Sequence, residues 1–196
     1  MTFILISGKP DVGKTCVCNR LHGAIGQNGT FKLRYKKTSD VACREDHIRH
    51  YEKDGKHIVV SSASDGDKCM LEFAKYLDEL AKDGVHPDII VTTIREEDDT
   101  DDTDKKDYPM SHMLALLAAI ANKESNLENY YNQNIVGKKP ADLALKPMSL
   151  RQNAFVLHLE EQDKSGVDNE EKVLIPYCDD NADKIKYAID FALARL

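Results

Sequence analysis

Short apolar runs alternate with longer amphipathic segments along the chain. The apolar runs predict β-strands at residues 3–7, 31–37, 58–62, 87–95, 154–159 and 171–177. The longer segments have apolar residues at helical spacing and predict helices at residues 14–25, 67–84, 111–124 and 181–196. Because strands that alternate with helices build a parallel sheet covered on both faces, the pattern predicts a three-layer α/β fold. We expect residues 1–196 to form a single domain, since domains of about 200 residues are common.

Local signals define the boundaries of some elements. Asp54-Gly55 lies between two strand-like runs and predicts a tight β-hairpin. Residues 31–37 alternate apolar with basic side chains, which favours an edge strand over a ligand-binding face, because lysines protect sheet edges. Ser111 is the expected N-cap of the third helix, and Gly84 is the expected end of the second.

The strongest chemical signal is the loop between the first strand and the first helix. Residues 8–15 match the phosphate-binding pattern G-x-x-x-x-G-K-[ST] completely. The two glycines let successive backbone N–H groups point at a phosphate, and the helix N-terminus adds partial positive charge. A nucleoside triphosphate is therefore the predicted ligand. The predicted nucleotide-binding residues here are Gly8, Lys9, Pro10, Asp11, Val12, Gly13, Lys14, Thr15 and Cys16.

Three side chains at the end of this loop have predicted chemical roles. Lys14 is a candidate catalytic residue that reaches the β and γ phosphates, and the Thr15 hydroxyl is a candidate Mg²⁺ ligand. Cys16 lies where a helix N-terminus lowers a thiol pKa, with a packed and inert thiol as the alternative. The chain has no N-K-x-D guanine motif, which favours ATP over GTP without excluding GTP.

Two aspartates follow the strand at residues 58–62. Asp65 and Asp67 lie in the segment SASDGD, between a predicted strand end and a predicted helix start. A carboxylate at this edge of the sheet holds Mg²⁺ or orients an attacking hydroxyl. We therefore predict Asp65 as a catalytic residue and both aspartates as metal ligands. The alternative for Asp67 is an N-cap of the next helix.

Charge and cysteine content bear on the class of protein. The formal net charge is -7, but eight of the 34 acidic residues lie in residues 96–107, so the rest of the chain is nearly neutral. Nucleic-acid binding driven by bulk positive charge is therefore not expected. We also expect no signal peptide and no membrane span, which needs about 18 consecutive apolar residues. Five cysteines without C-x-x-C spacing indicate neither a disulfide framework nor a zinc site, and they favour a reducing cytoplasm.

Two segments are less regular. The acidic run at residues 96–107 is typical of a solvated loop, and its alternative is a lid that orders around a divalent cation or a basic partner. Residues 124–150 contain two prolines and predict a short helix or an excursion over one face of the sheet.

The loop resembles the deviant P-loop of the septum-site and plasmid-partition ATPases, whose pattern is G-K-G-G-x-G-K-[ST]. Lys9 stands at the position of that family's additional signature lysine. The segment PDIIVTTIR resembles the family's strand that ends in two threonines, and VLIPYCDD resembles its late strand, near which the base is held. Dethiobiotin synthetase and related kinase-like proteins share this scaffold, and their loop also ends in Val-Gly-Lys-Thr.

The resemblance implies a P-loop NTPase fold over most of the chain and adds site residues. Lys9 would neutralise developing phosphoryl charge, in cis or across a dimer, and it is a candidate catalytic residue on this basis. Pro176 and Tyr177 would lie beside the nucleotide base. The family's metal-side aspartate and base-reading asparagine have no clear counterpart in this chain.

Three functions remain open from the sequence. The first is a Mg²⁺-dependent slow ATPase that acts as a switch and changes its dimer state or its protein partner with the nucleotide. The second is a kinase or ATP-dependent ligase that transfers the γ-phosphoryl group to a small acid or nucleotide. The third is a module that binds nucleotide without turnover. The phosphate-binding loop alone does not decide among them.

Overall fold

A computed structural model describes residues 1–9, 12–26, 31–38, 47–62, 66–96, 108–143, 154–162 and 171–196. The elements in chain order are β1 (Thr2–Gly8), α1 (Lys14–Gly26), β2 (Lys32–Thr38), β3 (His47–Lys53), β4 (Lys56–Ser61), α2 (Asp67–Lys82), β5 (Ile89–Arg95), α3 (Pro109–Ala121), α4 (Leu127–Asn134), β6 (Ala154–His158) and α5 (Glu171–Leu193). A short 3-10 helix spans Pro140–Asp142. Three predicted site residues, Pro10, Asp11 and Asp65, lie outside the described residues, as does the acidic run after Glu96.

The strands form one mixed sheet in the described part of the chain, in the order β2-β3-β4-β5-β1-β6. The pairs β4–β5, β5–β1 and β1–β6 are parallel. The pairs β2–β3 and β3–β4 are antiparallel. The predicted α/β class with a mainly parallel sheet is confirmed.

Helices cover both faces of the sheet. Strand β1 alternates its side chains between two cores. On one face, Phe3 and Leu5 pack with α2, α3 and α4. Ile4 and Ile6 pack on the other face with α1 and α5. A strand buried on both faces has a continuous apolar sequence, which is the pattern that predicted β1.

The hairpin and the edge strand are confirmed. Asp54 and Gly55 connect β3 to β4 with φ values of 52° and 73°, and two consecutive positive φ angles are typical of the tight turn that fits the twist of a hairpin. The basic strand β2 lies at one edge of the sheet. Helix α2 begins at its predicted residue and ends at Lys82, two residues before Gly84, which has φ of 74°.

The strand predicted at residues 171–177 is wrong, because these residues form the first turns of α5. Three consecutive apolar residues followed by a proline suggested a buried strand. In the structure, Leu174 and Cys178 instead begin a helical stripe that packs with α1. Burial of this stripe outweighs the local strand preference and tolerates Pro176 inside the helix.

The predicted N-cap at Ser111 is also wrong. Helix α3 begins two residues earlier, with Tyr108 as its N-cap and Pro109 in the first turn, and Ser111 is buried inside the helix. Proline suits the first helical position because its fixed φ is helical. An N–H at that position would have no acceptor within the helix, so its loss costs no hydrogen bond.

Among the described helices, none combines the length and the apolar character that crossing a membrane requires. Of the described cysteines, Cys16, Cys18 and Cys178 are free thiols. Cys69 is disulfide-bonded, which the cysteine spacing did not predict.

Candidate functional site

The phosphate-binding pattern lies at the carboxyl edge of the parallel strands. Strand β1 ends at Gly8 and α1 begins at Lys14, so the loop connects a central strand to a helix N-terminus. Because β1 runs parallel to its neighbours β5 and β6, the ends of all three strands meet at this edge. In open α/β sheets, ligands bind outside the carboxyl ends of the strands.

The Lys14 side chain lies across the loop. Its ammonium donates hydrogen bonds to the carbonyl oxygens of Gly8 at 3.0 Å and of Lys9 at 2.6 Å. Lys14 is only 6 % exposed, although a lysine is rarely buried to this extent. A buried ammonium held beside a helix N-terminus gives this loop the positive potential that a phosphate needs.

Both glycines of the pattern are required by their surroundings. A Cβ at Gly8 would lie 2.7 Å from Val12 Cγ2 and 3.0 Å from the carbonyl oxygen of Leu159. Gly13 has φ of 96°, and a Cβ there would lie 3.0 Å from Leu174 Cδ1. The loop therefore packs closely against the segment after β6 and against the start of α5.

Helix α1 directs its N-terminus at the loop. Its first intrahelical hydrogen bond runs from Val17 N to the carbonyl of Gly13 at 2.9 Å. The first N–H groups of a helix have no acceptor within the helix itself, so they form a general anion-binding site. Thr15 and Cys16 belong to this first turn.

A pair of thiols joins this turn to α5. The thiol of Cys178 donates a hydrogen bond to Cys16, and together with the nearby Arg20 guanidinium it lowers the pKa of Cys16 to about 7, against the opposing effect of burial. The same contact and burial raise the pKa of Cys178. The Sγ of Cys178 also lies 3.9 Å from the carbonyl oxygen of Gly13. Cys16 is thus the more acidic thiol, and the main cause is the hydrogen bond from Cys178, which the sequence did not predict.

Ser7, Glu96 and His158 form a polar cluster beside the loop, which the sequence pattern did not predict. The Ser7 hydroxyl donates a hydrogen bond to Glu96 Oε1 at 3.1 Å. The ring atom Nδ1 of His158 lies 2.5 Å from the same oxygen. Ser7 and His158 are paired residues at the ends of β1 and β6. Glu96 follows Arg95, the residue of β5 that is paired with Gly8.

The signal that could have revealed this cluster is the position of polar residues at the carboxyl ends of apolar strands. Each of the three residues is polar and lies at or just after the carboxyl end of an apolar strand. The sequence pattern instead assigns Glu96 to the acidic run at residues 96–107. The order of the strands was the missing information.

Asp67 is the only one of the two predicted metal-site aspartates in the described residues, and its carboxylate faces the helical layer. Asp67 Oδ1 lies 2.6 Å from His112 Nδ1 and accepts a hydrogen bond of 2.7 Å from the Tyr131 hydroxyl. The capping alternative is wrong, because Gly66 is the N-cap of α2 and no side chain caps this end. These contacts give a metal role for Asp67 no support.

Pro176 and Tyr177 lie in the first half of α5 instead of at a strand end. The Tyr177 hydroxyl accepts a hydrogen bond from the backbone N–H of Glu160 at 2.9 Å and lies 3.2 Å from its carbonyl oxygen. Tyr177 therefore fixes the segment that follows β6. The resemblance placed both residues beside a nucleotide base on the assumption of a strand, and that assumption does not hold.

Lys9 is exposed at the start of the loop. Within the described ranges, no three His, Cys, Asp or Glu side chains group as a metal site. No protein-family model, curated protein or solved structure matches the chain.

Proposed function

We propose that this protein binds ATP with Mg²⁺ at residues 8–15 and hydrolyses it slowly, as a nucleotide-dependent switch. The observation that carries the proposal is the Lys14 ammonium, which lies over the loop between the carbonyls of Gly8 and Lys9. A lysine in this position is ready to contact the β and γ phosphates of a triphosphate. GTP remains a second candidate ligand, since none of the contacts described for the loop selects a base.

The loop supports binding of the phosphates through three kinds of group. Backbone N–H groups at the start of α1 would contact phosphate oxygens, Lys14 would supply a full charge, and the Thr15 hydroxyl would ligate Mg²⁺. Lys9 lies at the same loop and would add charge as phosphate is released. With several phosphates as ligands, Mg²⁺ needs few protein ligands.

The Ser7–Glu96–His158 cluster favours hydrolysis over binding without turnover. Glu96 is a carboxylate at the strand adjacent to the loop, and its Oε1 is held by two donors. Its second oxygen, Oε2, would accept a hydrogen bond from the water that attacks the γ-phosphate. A carboxylate positioned in this way acts as a general base or orients the water. Asp65, the catalytic candidate from the sequence, lies outside the described residues, and its role stays a prediction.

The test is a comparison of Lys14→Ala with Lys184→Ala, a matched loss of one lysine on the exposed side of α5. ATP affinity and phosphate release would be measured for both variants with and without Mg²⁺. We expect Lys14→Ala to lower ATP affinity at least about tenfold, because a charged hydrogen bond contributes about 1.5–3 kcal/mol. Lys184→Ala should leave both unchanged. Equal ATP affinity in folded Lys14→Ala would contradict the proposal.

The same samples separate the proposed switch from its two alternatives. A switch releases phosphate slowly from ATP alone and changes its dimer state or its partner with nucleotide. A kinase or ligase releases nothing until a small acceptor is added. A pure binding module does neither, so ATP binding with no turnover under any condition would exclude the switch.

A further inference from the structure

A second candidate site lies at the opposite end of the sheet from the phosphate-binding loop. A cavity of about 770 Å³ is lined by Met1 before β1, by Asp88 before β5, and by the neighbouring ends of α2, α3 and α4. Strand β1 has seven residues, so its two ends are about 20 Å apart at roughly 3.3 Å per residue. The cavity therefore does not belong to the site described above.

The floor of the cavity is apolar. Leu77, Ile90, Ile120 and Leu127 line it, and all four are buried. Ala81 lines it from the last turn of α2. Pockets of about 300–1,000 Å³ with mainly apolar walls and a few polar groups are typical of small-molecule sites.

The acidic side chains of the wall are already engaged. Asp78 accepts hydrogen bonds from the backbone N–H groups of Leu127 at 2.7 Å and of Glu128 at 2.8 Å. Glu128 in turn lies 3.3 Å from the ammonium of Lys75. Asp78 therefore stabilises the start of α4, and both carboxylates already have a partner within the protein.

Asp88 is engaged in the same way at the start of β5. Its Oδ2 accepts a hydrogen bond from the backbone N–H of His57 at 2.9 Å, and its Oδ1 lies 3.6 Å from the ammonium of Lys56. Glu124, a further acidic residue of the wall, also has an interaction partner. Of the four wall carboxylates, Asp88 and Glu128 each have an ammonium within 4 Å, and Asp78 is hydrogen-bonded to the backbone.

The basic side chains of the wall differ from the acidic ones. Lys82, His86 and Lys123 line the cavity. Among the residues that the structure describes, no carboxylate lies within ion-pair distance of these three side chains. An apolar floor beside unengaged ammonium groups complements a molecule with an apolar body and one negative group.

We propose that this cavity binds a small amphipathic anion, an apolar body that carries a carboxylate. Lys82 and Lys123 contact the carboxylate, and the apolar floor contacts the body. Sulfonates of similar shape share this chemistry and serve as probes. The site is independent of the nucleotide, because no residue of the phosphate-binding loop lines the cavity.

The first test uses anilinonaphthalene sulfonate, whose fluorescence rises in apolar sites, with decanoate as the competing carboxylate. The wild-type protein should bind the probe at one saturable site, and decanoate should displace it. The double variant Lys82→Glu, Lys123→Glu should lower the probe affinity at least tenfold. Its matched control, Lys139→Glu with Lys184→Glu, makes the same change of net charge away from the cavity and should bind the probe like the wild type.

A second variant tests the apolar part of the site. Ala81→Phe keeps every charge and fills the cavity from an exposed position on α2, so the fold should persist. It should abolish decanoate binding, and Lys14→Ala should leave decanoate binding intact even if ATP binding is lost. Probe binding that resists decanoate, or that survives both the charge reversal and Ala81→Phe, would overturn the proposal.

Discussion

Asp67 and His112 form a close ion pair that connects the first residue of α2 to α3, with 2.6 Å between Asp67 Oδ1 and His112 Nδ1. The other ring nitrogen of His112, Nε2, lies 2.8 Å from the carbonyl oxygen of Lys138. A carboxylate and a carbonyl both accept hydrogen bonds, so both contacts are hydrogen bonds only when both ring nitrogens carry a proton. The pair holds the start of α2, which follows the segment SASDGD, in a fixed position.

Asp67→Asn should destabilise the fold by about 1–3 kcal/mol, because it removes the carboxylate that contacts His112 and Tyr131 in a partly buried position. Burial would raise the pKa of Asp67, but hydrogen bonds from His112 and Tyr131 outweigh it and lower the pKa. The ionised carboxylate therefore contributes stability above its unfolded pKa of about 4, and that stability is lost as the pH falls through the folded value. Urea unfolding of both proteins between pH 7 and pH 3 measures this loss.

Tyr131→Phe is the matched control for the ion pair, since it removes one neutral donor to the same oxygen. Its cost should be smaller, about 1 kcal/mol. A difference between wild type and Asp67→Asn that is the same at pH 3 and pH 7 would contradict a role for the charge.

Cys16 should be alkylated by iodoacetamide at neutral pH, with a half-maximal rate near its pKa of about 7. Cys178→Ala should move this midpoint upward, because the hydrogen bond from Cys178 is the largest cause of the low pKa. Peptide mapping after timed alkylation gives the rate at each thiol. Bound ATP should protect Cys16 if the first turn of α1 contacts phosphate. An unchanged midpoint in Cys178→Ala would show that the thiol pair does not control Cys16.

Gly8→Ala should weaken both the fold and ATP binding. The new Cβ would meet Val12 and the backbone of Leu159 within 3.0 Å, so the loop has to shift. We expect a loss of about 1–3 kcal/mol in unfolding free energy, typical of overpacking. Gly23→Ala is the control, because nothing lies within 4 Å of its Cβ and it lies inside α1. That variant should be more stable by about 0.5–1 kcal/mol, with normal ATP binding. Thermal unfolding in which both alanines have the same effect would contradict the proposed close packing.

Glu96→Gln should separate turnover from binding. The amide keeps the shape of the carboxylate but cannot take a proton, so phosphate release should fall about 10²–10⁴-fold while ATP affinity stays within a few-fold of wild type. Glu160→Gln, at an exposed position after β6, is a matched control and should release phosphate normally. Normal release by Glu96→Gln would leave the cluster with a structural role only.

The sequence predicted those parts of the fold that depend on neighbouring residues. The loop at residues 8–15, the Asp54-Gly55 turn and the amphipathic α2 each contain their own local signal. The run around Leu174 and Ile175 was predicted wrongly as a strand, since a short apolar run fits a buried strand or a helix equally well. Its packing against α1 decides the outcome, and that packing depends on residues far away in the sequence.

The Ser7–Glu96–His158 cluster could not be predicted for the same reason, because it also depends on residues far apart in the sequence. Ser7, Glu96 and His158 are separated by 89 and 62 positions along the chain. They meet only because β1 lies between β5 and β6. A pattern of apolar and polar positions predicts the strands but not their order, so it predicted the loop and missed the residues beside it.

Isothermal titration of the wild-type protein with ATP, with and without Mg²⁺, tests the central claim most directly. The account predicts saturable binding of one ATP per chain that is tighter with Mg²⁺ and is lost in Lys14→Ala. No binding tighter than a Kd of about 1 mM, in protein shown to be folded by circular dichroism, would contradict the assignment of residues 8–15 as a nucleotide site.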